Sequence, residues 1–228
     1  MTPIRHAELC YPQESCGFFV GKRYVPCRNI ADDPCHNFRV PREEWRAEAS
    51  ALVHSHPDGC RWLSRADRHH QHHSGMDWVL VADGRLYRYR YAPLLRGRTF
   101  AYGVRDCYTL VRDAYMLAGI DLPDVARGGM GDDARRGLFL QHAEAFGFRR
   151  VGEPQPGDVL LSSVAGQANH AAVYLGNERV LHHPAGQLSR IEDLGGIWHR
   201  VLHSAWRHRD WTLDRFAAID NDIQEICP

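Results

Sequence analysis

The aromatic and basic alternation Leu86-Tyr87-Arg88-Tyr89-Arg90-Tyr91 ends at Ala92-Pro93, and that ending constrains the fold more than any other stretch of the chain. Side chains alternate faces along a strand, so the run predicts an edge or half-buried strand. Proline closes it because it offers no N–H to a continuing ladder. A chain of 228 residues at 44% hydrophobic content can fill one large core or two small ones. The break favours two. Residues 1–92 are the expected first domain, 93–98 a linker, 99–213 the second domain and 214–228 an acidic C-terminal tail.

In the first part, Cys16-Gly-Phe-Phe-Val20, Ser50-Ala-Leu-Val-His54 and Trp78-Val-Leu-Val-Ala82 read as short buried strands separated by helical stretches, an α/β pattern. The run His69-His70-Gln71-His72-His73 reads as a wet helix face. In the second part, Leu110, Val111, Ala114, Leu117 and Ala118 recur at helical steps until Gly119, so Cys107 starts a helix. Strands follow at Asp158–Leu161, His170–Leu175 and Arg179–His182, with a turn at Gly176-Asn177-Glu178, which makes this part α+β.

Lys+Arg and Asp+Glu stand at 28 each, so the chain offers no basic field for nucleic acid or an acidic membrane. No run approaches the roughly 20 apolar residues of a membrane span, and the first residues show no apolar leader, so a soluble cytosolic product is expected. The seven cysteines are an odd number and are read as reduced; the Cys27 and Cys35 spacing does not match common zinc modules. The glycine-rich stretch from Arg127 to Asp133 lacks the lysine and the strand of a phosphate loop and reads as a flexible loop near the thiol cleft.

Chemistry in the first part rests on His54-Ser-His56-Pro57 followed by Ser64-Arg-Ala-Asp67. Two histidines at i and i+2 on a strand share a face, and Asp67 one turn into the next helix can supply a third ligand to the same metal ion. Three protein ligands leave a position for water. Ser-x-x-Asp is also an ordinary capping box, so that half of the pattern has a purely structural reading. A catalytic site needs a further base for the water, and Glu14 in Pro12-Gln-Glu-Ser-Cys-Gly17 is the candidate. Glu14 with His-x-His-Pro and Ser-x-x-Asp resembles the JAMM (MPN-type) metalloprotease signature over about residues 1–91, and all five residues match. The resemblance implies zinc held by His54, His56 and Asp67, water activated by Glu14, an oxyanion supported by Ser64, and cleavage of peptide or isopeptide bonds.

In the second part, a cysteine in the first turn of a helix faces unpaired N–H groups and the positive end of the dipole, which lower a thiol pKa. Cys107 fits that place, and His170, opening an apolar strand, is the candidate base. Hairpin parity leaves the orienting residue open. A three-residue loop pairs Leu175 with Arg179 and puts His182 on the face of His170, while a two-residue loop favours His183; His182 is preferred.

Tyr102-Gly-x-x-Asp106-Cys107, then Asn169-His170-Ala-Ala-Val-Tyr-Leu-Gly176, then His182, resemble an NlpC-type cell-wall peptidase over about residues 99–210. The resemblance implies a papain-like core in which Cys107 attacks the amide carbon, His170 moves the proton, His182 orients the imidazole and Tyr102 lies beside the oxyanion. Its implied substrates are peptidoglycan stem peptides, usually at the bond between D-glutamate and diaminopimelate. Tyr108-Thr109 stands where a small Ser-Gly often follows the cysteine.

A JAMM-like unit ahead of an NlpC-like one is similar to the tail-tip assembly proteins of long-tailed phages. That resemblance implies assembly with other tail-tip proteins, local cell-wall cleavage, and residence in the host cytoplasm during assembly or on the virion tail tip. Two alternatives stand beside it: an assembly factor whose catalytic groups matter little, and a maturation protease that trims a tail protein.

Overall fold

The computed structural model describes residues 1–129, 131, 137–164 and 167–224. The described residues divide into two compact units, Met1–Ala92 and those from Pro93 to Gln224. No helix among the described residues is long and apolar enough to cross a membrane.

The first unit is a five-stranded sheet in the order β2-β1-β3-β4-β5. Its strands are β1 (Cys16–Val20), β2 (Arg23–Cys27), β3 (Ala51–Ser55), β4 (Asp77–Ala82) and β5 (Arg85–Tyr89). β3 and β4 run parallel, which requires a crossover, and α2 (Arg65–Ser74) is that crossover. α1 (Pro3–Cys10) starts where Thr2 accepts from the Arg5 N–H and Pro3 presets the first turn. It lays Ile4 and Ala7 against Tyr24, Ala51, Val53, Val79 and Val81.

Two local expectations are corrected here. The stretch between the first two expected strands is not helical: it is the β1–β2 hairpin, turning at Gly21 with φ +59°, and then a long loop with a single 3-10 turn at Arg42–Glu44. Pro26, Pro34 and Pro41 forbid a continuous helix there. The histidine-rich run is not wholly wet either. Gln71 in its middle is fully buried, and its amide donates to the Tyr89 carbonyl at 3.0 Å.

The second unit is an antiparallel six-stranded sheet in the order β10-β9-β8-β7-β11-β6. Its strands are β6 (Phe148–Val151), β7 (Val159–Val164), β8 (Gln167–Gly176), β9 (Arg179–His182), β10 (Arg190–Asp193) and β11 (Leu202–His208). The helices are α3 (Cys107–Leu117), α4 (Leu138–Ala143), α5 (Ile197–Val201) and α6 (Phe216–Ile223). α3 is covered all round, every residue from Thr109 to Leu117 but Arg112 being buried, and it packs on β8 and α6. Leu160, Ala172, Val180, Leu194, Trp198 and Ala205 form a core cluster in this unit.

Residues 93–98 are part of this unit's interior. Leu95 is fully buried with its N–H on Asp222 at 2.7 Å, and Arg98 makes a buried 2.6 Å ion pair with Asp113. The C-terminal segment supplies α6, whose Ala218, Ile219 and Ile223 are buried; residues 225–228, Cys227 among them, lie outside the described residues. Part of the glycine-rich loop, Met130, Asp132 and Asp133, lies outside them as well.

Gly157 is the most demanding glycine of this unit. It has φ +94°, and a Cβ there would fall inside the Trp211 indole. Its carbonyl also accepts from Tyr115 Oη at 2.8 Å. Gly157→Ala should therefore destabilise the chain by about 2–3 kcal/mol, through strain plus overpacking. A urea midpoint equal to that of the wild type would contradict this.

Candidate functional site

In the first unit, β3 carries His54 in its interior, and His56 follows one step past the strand end. His54 is completely buried, stacked on Phe38 at 4.8 Å and edge-on to Trp78 at 5.2 Å, so its ring has one available direction. α2 begins at Ser64 with a reciprocal capping box: Ser64 Oγ accepts from the Asp67 N–H at 3.1 Å, and Asp67 Oδ2 accepts from the Ser64 N–H at 2.8 Å. The capping-box reading of Ser-x-x-Asp holds, and the cap leaves the same carboxylate facing both histidines. The cap fixes the carboxylate that meets His56 Nε2 at 3.2 Å and His54 Nε2 at 3.5 Å.

His54, His56 and Asp67 place their ligand atoms within 4.8 Å of one another. The two Nε2 atoms are only 3.1 Å apart, and His56 Nδ1 donates to the Cys60 carbonyl at 2.9 Å. That bond turns the Nε2 lone pair of His56 inward, the arrangement by which an outer partner orients a metal-ligating histidine. Three electron-rich atoms facing each other need a shared proton or a cation between them. Without a metal the proton resides on His56, whose pKa is pushed up to about 10 because its bonds to Asp67 and Cys60 outweigh the cost of burial. A cation would displace it, so the donor set fits a metal ion. Cys60 offers His56 both its carbonyl and its thiol, and the histidine pulls that thiol's pKa down, but its sulfur is not among the three ligand atoms.

Glu14 lies just before β1 and is buried, with its backbone tied to Pro34 and Asn29. Burial pushes its carboxyl up to about 8, with His56 opposing and Asp67 adding to the shift, so it stands within electrostatic reach of the cluster.

In the second unit, Asp106 caps α3. Its carboxylate accepts from the Thr109 N–H at 3.0 Å and the Gly103 N–H at 2.8 Å, while its own N–H donates to Thr109 Oγ1 at 2.7 Å. Thr109, the departure from the small residue common at that place, is thus the reciprocal partner of the cap. Cys107 sits in the first turn, and with Tyr102, His170 and His182 it lines one cavity of about 540 Å3. Phe100, Tyr108, Phe139 and Phe148 give that cavity apolar walls.

His170 Nε2 and His182 Nδ1 are 3.0 Å apart, and His182 is directly opposite Ala172, on the face of His170. The hairpin combines both loop alternatives. Asn177 and Glu178, at φ +49° and +52°, form a two-residue turn closed by Gly176 opposite Arg179. A register shift between Tyr174 and Gly176 then restores the pairing of the three-residue loop. His183 consequently points elsewhere, edge-on to Phe100 at 5.3 Å.

The expected lowering of the thiol pKa is corrected. Burial, with Asp106 adding to it, pushes Cys107 up to about 12, although the amides of Ala171, Tyr108 and Cys107 pull the other way. Burial also pushes His170 down to about 3 and His182 down to about 4. The resting site therefore holds a neutral thiol and neutral imidazoles.

The histidine shifts carry a stability prediction. Folded His170 binds its proton later than the unfolded chain does, so stability is intact above the ordinary value of 6.5 and is lost as pH falls from there toward about 3. His170 alone should cost about 2 kcal/mol at pH 5. Amide protection in β7–β9, corrected for intrinsic exchange, should fall accordingly; equal protection at pH 7 and pH 5 would refute this.

Sequence reasoning missed Glu192 and Trp198. Glu192 Oε2 lies 3.0 Å from His182 Nε2, and the Trp198 ring packs on both His170 and His182 at 5.8 and 5.2 Å. The alternation of Arg190 and Glu192 was the available signal: Arg190 pairs with His182, so Glu192 falls on the same face.

Comparison with known proteins places each unit in a class. Residues 3–92 match the family model for prokaryotic homologs of the JAB domain, and residues 97–207 match the NlpC/P60 family. The chain is 46% identical to tail tip assembly protein K of Escherichia phage lambda, over 79% of this chain and 92% of that protein. It is 31% identical to tail tip assembly protein K of Escherichia phage N15, over 91% of this chain and 93% of that protein. An NLP/P60-family protein from Staphylococcus aureus is 26% identical with a TM-score of 0.37, covering 50% of this chain and 37% of the other. A JAB-type domain followed by an NlpC/P60 domain is therefore the class to which fold and site belong. Within it, the chain belongs to the family of phage tail tip assembly proteins.

Proposed function

We propose that the chain acts in tail-tip assembly alongside other tail proteins and that its second unit is a thiol endopeptidase for peptidoglycan stem peptides. The observation that carries this reading is the convergence of Cys107, His170 and His182 on one cavity with the two imidazoles hydrogen-bonded at 3.0 Å. Because the resting thiol is neutral, substrate must bind before the proton moves. Cys107 Sγ passes its proton to His170 as sulfur bonds to the amide carbon, and Tyr102 lies beside the oxygen that gains charge. His170 then protonates the departing amine, and water, deprotonated by the same imidazole, releases the acid from the thioester.

For the first unit the proposed ligand is zinc, held by His54, His56 and Asp67. When bound, it supplies Lewis-acid activation of a water. Glu14 is neutral without a metal; a bound cation would favour its ionised form, which would take a proton from an attacking water, and Ser64, whose oxygen accepts from the Asp67 N–H, would have its O–H to donate to a carbonyl oxygen. Hydrolysis of a peptide or isopeptide bond is the reaction this set supports.

Digestion of purified peptidoglycan by the wild type, Cys107→Ala and Glu14→Ala, with products read by mass spectrometry, tests both parts. Stem-peptide cleavage lost in Cys107→Ala and kept in Glu14→Ala is expected. No cleavage by the folded wild type across several wall types would leave the assembly role and remove the endopeptidase.

A further inference from the structure

We propose that Glu192 is a positioning residue that sets the proton arrangement of the His170–His182 pair and thereby makes His170 a base. This rests on the thiol-peptidase reading of the second unit. Glu192 stands on β10, and its two oxygens have separate tasks. Oε1 accepts from Arg190 Nε at 3.0 Å and Nη2 at 2.7 Å, while Oε2 faces His182 Nε2 at 3.0 Å and Trp198 Nε1 at 3.4 Å. Arg190 is itself held by Gln187 Oε1 at 2.6 Å, so the carboxylate has a fixed orientation.

A carboxylate oxygen 3.0 Å away repels a ring lone pair and attracts an N–H, so the contact places the His182 proton on Nε2. Burial keeps His182 neutral, so its Nδ1 bears a lone pair. Across the 3.0 Å contact, His170 Nε2 must then be the donor. His170 is neutral for the same reason, and its remaining nitrogen, Nδ1, is left unprotonated to take the Cys107 proton. Once it has done so, the positive charge on His170 lies one imidazole away from the Glu192 carboxylate. The proton itself stays on His170. Without Glu192, nothing in the His170–His182 contact decides which ring donates, and the opposite choice puts a proton on His170 Nδ1 and abolishes the base.

This arrangement makes the near-isosteric change the most damaging one. In Glu192→Gln the amide must direct its carbonyl toward Arg190, which has only donors to offer, and its NH2 toward His182 Nε2. His182 then carries its proton on Nδ1 and donates to His170 Nε2, and His170 is protonated on Nδ1. A purely structural role for Glu192 would be rescued by glutamine, whose size and shape match.

The test reads tautomers and thiol reactivity in the full chain, independently of any wall substrate. Imidazole 15N spectra of the wild type should show both His170 and His182 protonated on Nε2, and those of Glu192→Gln should show both protonated on Nδ1. Alkylation of Cys107 by iodoacetamide, followed at that residue by mass spectrometry, should slow on the order of 100-fold in Glu192→Gln, the usual worth of a general base. Glu192→Ala, which frees the choice without inverting it, should fall between. Wild-type alkylation rates in Glu192→Gln would overturn the proposal, and so would His170 protonated on Nδ1 in the wild type, a result that needs no variant to fold. A wild-type chain with the expected tautomers that leaves peptidoglycan intact would remove the proposed substrate and leave the relay standing.

Discussion

Cys107→Ala is expected to slow release of stem-peptide fragments by at least ~1,000-fold, because the attacking atom is gone and only binding and oxyanion contacts remain. The fold should not answer for the loss. The α3 cap is made by Asp106 and Thr109, and the sulfur takes no part in it. Removing one atom from the first turn leaves the buried residues of α3, from Thr109 to Leu117, in place. Fragment release and thermal unfolding should be measured on the same preparation. Lost cleavage with an unchanged melting transition supports nucleophilic catalysis. Retained cleavage would sink the thiol mechanism and place the activity elsewhere in the chain.

Asp67→Ala is expected to weaken zinc binding on the order of 100-fold or more, since replacement of even an outer-shell partner of a metal ligand typically costs 10–100-fold. Asp67 has a second task, because its carboxylate also accepts from the Ser64 N–H at 2.8 Å to close the α2 cap. Loss of that cap should cost about 1 kcal/mol of stability. Ser64→Ala separates the two effects. It removes the hydroxyl that accepts from Asp67 N but leaves the carboxylate beside both histidines, so stability should fall while zinc affinity stays close to the wild type. Zinc affinity is read by competition with a chromophoric chelator and stability by urea unfolding. Equal loss of zinc affinity in the two variants would make Asp67 a capping group and not a ligand.

What the sequence disclosed follows the range of the forces involved. Cys107 was legible because it starts a helix, and His170 because the apolar run Ala171–Leu175 begins beside it, although β8 itself starts three residues earlier at Gln167. The His54, His56 and Asp67 set was legible because strand parity and a helix cap are local rules. β2 was hidden, because Arg23-Tyr24-Val25-Pro26-Cys27 is short, shows no alternation of polar and apolar residues, and carries a proline. Glu192 was hidden because it reaches His182 through strand pairing across the 183–189 connection, and that register is chosen by tertiary packing. The direction of the Cys107 shift was misjudged for a related reason. The dipole at a helix start is visible in sequence, whereas the depth of the cavity that desolvates the thiol is not.

The Tyr174–Gly176 register shift has a consequence for how this hairpin can vary in length. Because that shift offsets the two-residue turn, the identity of the ring facing His170 depends on the one extra residue that the shift accommodates in β8. Losing the shift at constant length would pair Ala172 with His183 and put His183 where His182 stands, with no change in the chemical make-up of either strand. Deleting one residue between Tyr174 and Gly176 would instead let the same two-residue turn close without the shift and keep His182 opposite Ala172. The extra residue therefore acts as slack: a shortening by one is absorbed, and the partner changes only when the slack is drawn out of the ladder without a change of length.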